Sequence, residues 1–229
     1  MTRIAIVGFG KMGRAIRDLA IAEKHEVVAE IDIGQLSQAA LKGADVAIEF
    51  TQPDAAVDNL VRLAGWKVPT VCGTTGWYGR LAEVKAAVDK SGSALVYAPN
   101  FSVGVQILLQ IARETGRALS ARPEFDAHLV ETHHKAKKDA PSGTAGALRE
   151  ALRSKDPNRD YPITSVRVGE APGTHQIIVD GPGESLTLEH VARDRSIFAR
   201  GALVAARWLA ERPRKGVFAF DHVLFGESR

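Results

Sequence analysis

Near its start the chain reads RIAIVGFGKMG over residues 3–13. The apolar residues before the first glycine predict a short buried strand, and residues 12–23 have the apolar spacing of a helix. Between them, Gly8, Gly10 and Gly13 form the pattern G-x-G-x-x-G in the strand–turn–helix setting that it requires. There the first glycine permits a tight turn, the second lets a pyrophosphate approach the backbone, and the third lets helix and strand pack closely.

This turn predicts a site for a nicotinamide dinucleotide, whose phosphates would meet the positive end of the helix. We therefore expect Phe9, Lys11 and Met12 to line the cofactor together with the glycines. A second β-rich run, residues 26–33, contains Asp32 near its end. A carboxylate there can accept hydrogen bonds from the ribose hydroxyls of the cofactor. A glycine turn in a flavodoxin-like domain without ligand is the alternative, but strand, glycines, helix and acid together favour the dinucleotide.

Two later loops follow predicted strands, at the sheet edge where ligands bind in open α/β folds. The first loop follows the strand 68–72 and the second follows the strand 94–98. We expect both to contact the cofactor, although each loop taken alone also fits an ordinary connection. Their candidate cofactor-binding residues are Gly73, Thr74, Thr75, Ala98, Pro99, Asn100 and Phe101.

The order of the predicted elements changes near Phe101. Before it, strands and helices alternate, which predicts parallel βαβ units and an α/β, Rossmann-like domain over residues 1–101. After it, several β-type runs cluster, which predicts an α+β domain with a mixed open sheet over residues 102–211. Residues 212–229 contain a late apolar run that we expect to return to the first sheet. Predicted strands lie at 3–7, 26–33, 45–50, 68–72, 94–98, 125–131, 163–168, 175–179 and 185–191, and predicted helices at 12–23, 54–64, 80–90, 103–119, 144–153 and 196–211.

Composition excludes several classes of protein. Lys and Arg number 30 against 27 Asp and Glu, and the formal charge of +3 does not by itself indicate a nucleic-acid partner. No apolar stretch is long enough to span a membrane, and we expect no signal peptide. The lone Cys72 suits a reducing compartment, so we expect a cytoplasmic protein. A lone cysteine at a strand end is more typical of packing than of a nucleophile, because no partner base can be assigned.

The densest chemistry lies in ETHHKAKKDAPSGT, residues 131–144. Two histidines and three lysines occupy residues 133–138, and their mutual repulsion favours either a bound anion or a well-solvated basic face. The segment ends in Ser-Gly-Thr at a predicted helix start, whose free N–H groups suit a carboxylate. His133 and His134 point to opposite sides of an extended segment, which argues against a shared metal ion, and we predict no metal.

This segment closely resembles the signature of the dihydrodipicolinate reductase family, which acts in the diaminopimelate route to lysine. The likeness extends over nearly the whole chain, and it carries the expectation of reduction of 4-hydroxy-tetrahydrodipicolinate by NAD(P)H. Residues 33–45 and 156–161 are shorter than the family pattern, at the edge of the adenosine pocket and beside the second domain's strands. The resembling segments are 8–14, 73–76, 98–102, 131–144, 167–175, 184–190 and 198–208.

The resemblance also implies roles for single residues. His133 resembles the family's general acid/base and Lys137 its proton donor. Asp32 aligns with the ribose-binding acid; it would repel the 2′-phosphate of NADPH, whereas Lys11 could pair with that phosphate. We therefore expect both NADH and NADPH to serve, with NADH modestly favoured. The residues that resemble the binding site for a substrate carboxylate are His134, Ser142, Gly143 and Thr144.

Two other functions stay open at this point. A different nicotinamide oxidoreductase acting on a sugar or semialdehyde would need another substrate loop, and a non-enzymatic NAD(H) sensor would need an element such as helix-turn-helix. We also expect a homotetramer, in part from the resemblance. In addition, the sheet within 163–191 has alternating apolar residues, and an apolar outer face would need a partner subunit. The alternating residues are Ile177, Val179, Leu186 and Leu188.

Overall fold

The predicted boundary at Phe101 is where one structural unit gives way to another in the computed structural model, which describes residues 1–226. The strands are β1 (Arg3–Val7), β2 (Glu26–Ile31), β3 (Val46–Glu49), β4 (Thr70–Cys72), β5 (Ala94–Tyr97), β6 (Asp126–His133), β7 (Ile163–Arg167), β8 (Thr174–Gly181), β9 (Glu184–Val191) and β10 (Gly216–Ala219). The helices are α1 (Lys11–Ala22), α2 (Pro53–Gly65), α3 (Leu81–Ser91), α4 (Val103–Leu119), α5 (Gly143–Arg153), α6 (Ser196–Ala210) and α7 (Phe220–Phe225).

The first unit holds a six-stranded sheet in the order β10-β5-β4-β3-β1-β2. Every pairing in this sheet is parallel, as the alternation of strands and helices predicts. The chain turns from β2 on one side of β1 to β3 on the other, which makes β1 the switch point of the sheet. The carboxyl ends of β1 and β3 are therefore where this fold places a ligand.

The return to the first unit begins earlier than we predicted. Helix α6 belongs to the first unit and not to the second, so the second unit is Ser102–Arg195. The reason is the small side chains of α6, which pack against α1 and against β3. At Gly201 a Cβ would overlap the backbone carbonyl of Phe101. Strand β10 then pairs with β5, as the late apolar run predicts.

The second unit holds a four-stranded mixed sheet in the order β7-β6-β8-β9. Only β6 and β7 run parallel, and the other two pairings are antiparallel. One face packs on α4 and α5 through a core that includes Leu129, Leu148 and Ile177.

The four apolar residues of alternating spacing all lie on the helix side of this sheet. Ile177 and Val179 are buried in the core, Leu188 packs against it, and Leu186 lies in register with Val179 at the same face. The opposite face of the sheet carries a mixture of apolar and polar residues, among them Ile178.

Candidate active site

The glycine turn has the backbone geometry that the sequence pattern predicts. Gly8 has a φ of +96°, and a Cβ there would overlap the carbonyl oxygen of Phe50. At Gly13 a Cβ would overlap the carbonyl oxygen of Gly8. At Gly10, by contrast, no other described part of the chain lies within 4 Å of an added Cβ. The first and third glycines are therefore required by packing, and the second leaves room for a ligand.

Helix α1 begins directly behind this turn. Its N-cap is Gly10, which supplies no side-chain cap, and its first turn contains no acidic residue. The N–H groups and the positive end of the helix dipole are thus available to an anion. These features fit the pyrophosphate of a dinucleotide.

A cleft of about 350 Å³ opens beside the turn. The turn and the Gly-Thr-Thr loop after β4, both predicted to bind the cofactor, line it. The residues after β3 also line the cleft, and we missed them because no glycine or charge marks that loop. The lining residues are Gly10, Lys11, Met12, Phe50, Thr51, Pro53, Gly73, Thr74 and Thr75.

A buried carboxylate, that of Glu49, ties two walls of this cleft together. It accepts hydrogen bonds from the hydroxyls of Thr51 and of Thr74, the latter at 2.7 Å. The Thr51 N–H also donates to Thr74 Oγ1 at 2.8 Å. The Cys72 thiol lies 3.2 Å from Glu49, and burial together with that carboxylate raises the pKa of the thiol well above its usual value. Cys72 is therefore a protonated packing residue, and the nucleophile alternative fails.

The other predicted cofactor residues lie near the turn but do not line the cleft. Asp32 is exposed and follows Ile31, whose carbonyl accepts the Gly8 N–H at 2.8 Å. The ring of Phe9 is half-buried, and the guanidinium carbon of Arg17 lies over its face, 5.3 Å from the ring centroid.

The loop after β5 is only partly accessible. Ala98 and Phe101 are buried, and the ring of Phe101 packs against the ring of Phe220 with the two centroids 4.7 Å apart. Pro99 is exposed and Asn100 is half-buried, so these two are the accessible residues of that loop.

In the second unit, the helix-covered face of the sheet changes from apolar to polar near the end of β6. Residues of β6 alternate strictly, so Glu131 and His133 follow Leu129 on the same buried face. Register places Glu131 opposite Ser165 of β7 and His175 of β8. We call the set Glu131, His133, Arg167 and His175 the polar cluster.

Glu131 is the anion of this cluster and is fully buried. Its Oε1 accepts hydrogen bonds from Arg167 Nη2 at 2.7 Å and from the Ser142 N–H at 3.1 Å. Burial alone would raise the pKa of Glu131, but the hydrogen bonds from Ser142, Arg167 and Ser165 outweigh it and lower the pKa to about 2. The carboxylate is therefore ionised at neutral pH.

The two histidines of the cluster are in edge-to-face contact, with ring centroids 5.1 Å apart. Burial, and then the neighbouring His133, lower the pKa of His175 to about 4. Burial also lowers the pKa of His133, while Glu131 acts in the opposite direction and Lys137 and Arg167 add to the lowering. At neutral pH both rings are mainly neutral.

Glu131, His133 and His175 also have potential metal-ligand atoms within 4.8 Å of one another. The cations Arg167 and Lys137 act on the same group, which opposes the binding of another positive charge. We assign no metal there.

The basic loop after β6 separates its lysines. Lys137 is half-buried, and its Nζ contacts the two carboxylate oxygens of Asp139 at 2.8 and 3.0 Å. Lys135 and Lys138 are exposed. The pKa of Asp139 is lowered chiefly by its hydrogen bond with Lys137. Lys137 is thus held in place, unlike its two neighbours.

The segment 142–144 forms the start of helix α5. Ser142 is its N-cap: the hydroxyl accepts the Ala145 N–H at 3.2 Å and lies 3.2 Å from His175 Nε2. Because its N–H also binds Glu131, the polar groups of Ser142 are engaged within the protein. Gly143 and Thr144 occupy the first turn of the helix, at the positive end of its dipole. His134, just beyond β6, is half-buried.

We did not predict Glu131, Arg167 and His175 as members of the site. The period-two spacing of Glu131 and His133 was a usable signal, since it places both on one face of a strand. Arg167 and His175 begin and end a segment that resembles the family, but the resemblance gave them no role, and only the pairing of β7 and β8 with β6 brings them to the site.

Known proteins resemble this chain over nearly its whole length. The profile "Dihydrodipicolinate reductase, N-terminus" matches residues 2–101, and "Dihydrodipicolinate reductase, C-terminus" matches residues 104–224. The 4-hydroxy-tetrahydrodipicolinate reductase of Methanoregula boonei is 34% identical over 98% of both chains. That of Christiangramia forsetii is 30% identical over 96% of this chain and 97% of its own.

A solved structure agrees with the sequence relatives. It is a dipicolinate-bound dihydrodipicolinate reductase from a Paenisporosarcina species, 26% identical, with a TM-score of 0.79. The match covers 96% of this chain and 97% of that one. The family profiles, the relatives and the solved structure all indicate the same family, and the glycine turn and the histidine-rich loop are consistent with it. We conclude that this chain belongs to the dihydrodipicolinate reductase family.

Proposed function

We propose that this protein reduces 4-hydroxy-tetrahydrodipicolinate to tetrahydrodipicolinate with NAD(P)H, in the diaminopimelate route to lysine. It is an oxidoreductase with an N-terminal dinucleotide-binding domain. The observation that carries the proposal is the loop from His133 to Thr144, which joins the polar cluster to the start of α5. The reaction consumes one hydride and one proton and releases one water.

The first unit would bind the cofactor. The pyrophosphate would lie over Gly10 and the N-terminus of α1, where the backbone is open and no acid opposes it. When bound, the reduced nicotinamide supplies the hydride. Thr51 and Thr74 lie on two loops that line this cleft, and their hydrogen bonds to Glu49 hold the two loops in place.

The second unit would bind a small dicarboxylate. The positive end of the α5 dipole, at Gly143 and Thr144, suits one carboxylate, and His134 lies at the other end of the same loop. The surrounding positive charge of Lys137 and Arg167 matches a dianionic substrate. The relative bound to dipicolinate, itself a dicarboxylate, supports this substrate class.

Lys137 and His133 would handle the proton. Hydride addition to a conjugated C=C–C=N system builds negative charge, which a positioned cation or proton donor stabilises. Lys137 is held by Asp139, and a substrate carboxylate would compete for that ammonium. His133 lies at the end of β6 within the polar cluster, where it would exchange a proton with the ring of the substrate.

The cofactor preference follows from Asp32. An exposed carboxylate beside the turn would accept hydrogen bonds from the ribose hydroxyls of NADH and would repel the 2′-phosphate of NADPH. Two unit charges about 4 Å apart repel by roughly 4 kcal/mol at an effective dielectric near 20, before screening by solvent. Lys11, exposed at the first position of α1, offsets part of this repulsion.

We expect both cofactors to work, with NADH modestly favoured. The measurement is kcat/KM for each cofactor at saturating substrate, in the wild type and in Lys11→Ala. Lys11→Ala should lower kcat/KM for NADPH and leave that for NADH nearly unchanged. A strong preference of the wild type for NADPH would refute the role of Asp32.

We propose a homotetramer built through the outer face of the second unit's sheet, and a cytoplasmic location in keeping with one buried, protonated cysteine. Among residues 1–226 no helix is long and apolar enough to cross a membrane.

The reaction can be tested in a coupled assay. The preceding synthase, pyruvate and aspartate semialdehyde generate the substrate, and loss of NADH absorbance reports its reduction. We expect NADH oxidation only when synthase, both precursors and this protein are all present. Oxidation that persists without the synthase, with aspartate semialdehyde alone, would instead indicate the alternative of a semialdehyde oxidoreductase.

A further inference from the structure

The polar cluster contains a carboxylate to which the mechanism above gives no part. Glu131 Oε2 lies 3.1 Å from His133 Nδ1. Both atoms are buried, and within residues 1–226 neither has another hydrogen-bond partner. The contact does not meet the angular criteria of a regular hydrogen bond, but it brings a carboxylate oxygen against an imidazole nitrogen.

From this contact we propose that Glu131 is a positioning residue: it fixes the imidazole of His133 through Nδ1 and leaves Nε2 as the atom that exchanges the proton. The inference rests on the proposed role of His133 in the reductase reaction. It adds a residue whose contribution acts only through the histidine.

The carboxylate is suited to this role because it is fixed and permanently charged. Its Oε1 is held by Arg167 and by the Ser142 N–H. Its Oε2 lies nearer to His133 Nδ1, at 3.1 Å, than to His175 Nε2, at 4.0 Å. A pKa of about 2 keeps Glu131 ionised over the whole range in which His133 titrates. A fixed anion beside Nδ1 favours a proton on that nitrogen.

The opposite edge of the imidazole is left accessible by a glycine. A Cβ at Gly173 would lie 3.1 Å from His133 Nε2, so the missing side chain keeps that edge uncrowded. His175 packs edge-on against the same ring and limits its rotation. The ring is thus held on two sides, and no side chain of residue 173 crowds Nε2.

Several charges act on His133 besides Glu131. Lys137 and Arg167 disfavour the imidazolium, Asp139 favours it, and the neighbouring His175 is neutral near pH 7. Among these groups Glu131 gives the largest contribution in favour of the protonated ring. Removing its charge should therefore lower the pKa of His133 further.

The test is the titration of His133 by NMR, with histidine labelled with ¹⁵N and ¹³C and the signal assigned by loss in His133→Asn. The first variant is Glu131→Gln, which keeps the size of the side chain and removes its charge. The second is Glu131→Asp, which keeps the charge and moves it farther from the imidazole of His133. Glu189→Gln, an exposed acid of β9, is the matched control. All samples contain EDTA.

In the wild type we expect the neutral ring to carry its proton on Nδ1. Glu131→Gln should lower the pKa of His133, shift the tautomer toward Nε2–H, and reduce kcat by about 10²-fold, within the range for positioned proton transfer. The pH profile of kcat should move to lower pH. Glu131→Asp should give smaller shifts in the same direction, and Glu189→Gln none.

Unchanged pKa and tautomer of His133 in Glu131→Gln would overturn the proposal, even if kcat falls, since that result would mean a purely structural carboxylate. If Glu131→Gln does not fold, an unshifted His133 in Glu131→Asp overturns it equally. Failure of the proposed function shows separately, as a wild type without reductase activity.

Discussion

At the scale of single residues, the glycine turn shows how a pattern divides into structural and ligand-binding positions. Gly8 and Gly13 are required because the chain itself occupies the space of a side chain. Gly10 faces open space. Sequence spacing predicted all three positions, because the strand–turn–helix setting leaves each glycine one geometric role.

This division predicts opposite results for two alanine substitutions. Gly8→Ala should lower the free energy of unfolding by more than about 3 kcal/mol, since it combines a positive φ with overlap of the Phe50 carbonyl. Gly10→Ala should change it by less than about 0.5 kcal/mol. Its Kd for NADH should nevertheless rise about tenfold, which corresponds to roughly 1.4 kcal/mol.

Denaturant unfolding without cofactor and calorimetric titration with NADH provide the two measurements. An unchanged Kd in a folded Gly10→Ala protein would show that the pyrophosphate does not lie over this turn.

Other residues could not be assigned from sequence. Phe101, which follows a strand at the ligand-binding edge, was a reasonable cofactor candidate, yet its ring packs in the core between Phe50 and Phe220. Whether a loop side chain turns inward depends on what packs beneath it. Here Gly201 of α6 allows the backbone of Phe101 to approach closely, and that helix is distant in sequence.

At the scale of elements, the strand β6 and the helix α5 act together. The strand presents Glu131 and His133 on one face, and Glu131 holds the N–H of Ser142, which caps the helix. The alternation of β6 was visible in the sequence. The connection between strand and helix was not, because it depends on a carboxylate reaching across the intervening loop.

Loss of the cap should therefore affect both stability and substrate binding. Ser142→Ala removes the hydroxyl that accepts the Ala145 N–H, and we expect it to lower the free energy of unfolding by about 1 kcal/mol. It should also raise the KM for substrate, because the N–H groups of Gly143 and Thr144 lose their support. The KM for NADH should stay near the wild-type value.

Ser102→Ala is the matched control, since Ser102 caps α4 in the same way through Val105. Ser102→Ala should lower the free energy of unfolding by a similar amount, measured by denaturant unfolding, without raising the KM for substrate. An equal rise in both variants would mean that the cap of α5 has no specific part in binding.

At the scale of the whole molecule, the order of strands and helices predicted both folds, because alternation and clustering of strands have few packing solutions. The assignment of α6 was wrong, since an amphipathic spacing does not reveal which unit a helix packs on. The small residues of α6, Ala199, Gly201 and Ala202, are the feature that fits it against the first sheet.

The homotetramer that we propose would bury the outer face of the second unit's sheet between subunits. Ile178 lies on the central strand β8, on the face of the sheet away from α4 and α5, between His128 and Thr187. If subunits pair through that face, Ile178→Asp should place a charge in the interface and dissociate the assembly.

Light scattering should give the wild type a mass four times that of one chain and a smaller mass for Ile178→Asp. The control is Ile21→Asp on α1, where the side chain is 59% exposed and the mass should not change. A wild type that is monomeric at micromolar concentration would rule out the tetramer.

We propose above all that the loop between β6 and α5 carries the reductase chemistry. Its most direct test is the kcat of Lys137→Ala in the coupled assay, beside Lys135→Ala, which removes a neighbouring exposed lysine. We predict that Lys137→Ala lowers kcat by about 10²–10⁴-fold with little change in affinity for NADH, while Lys135→Ala stays near the wild type. Wild-type turnover in Lys137→Ala would contradict the claim.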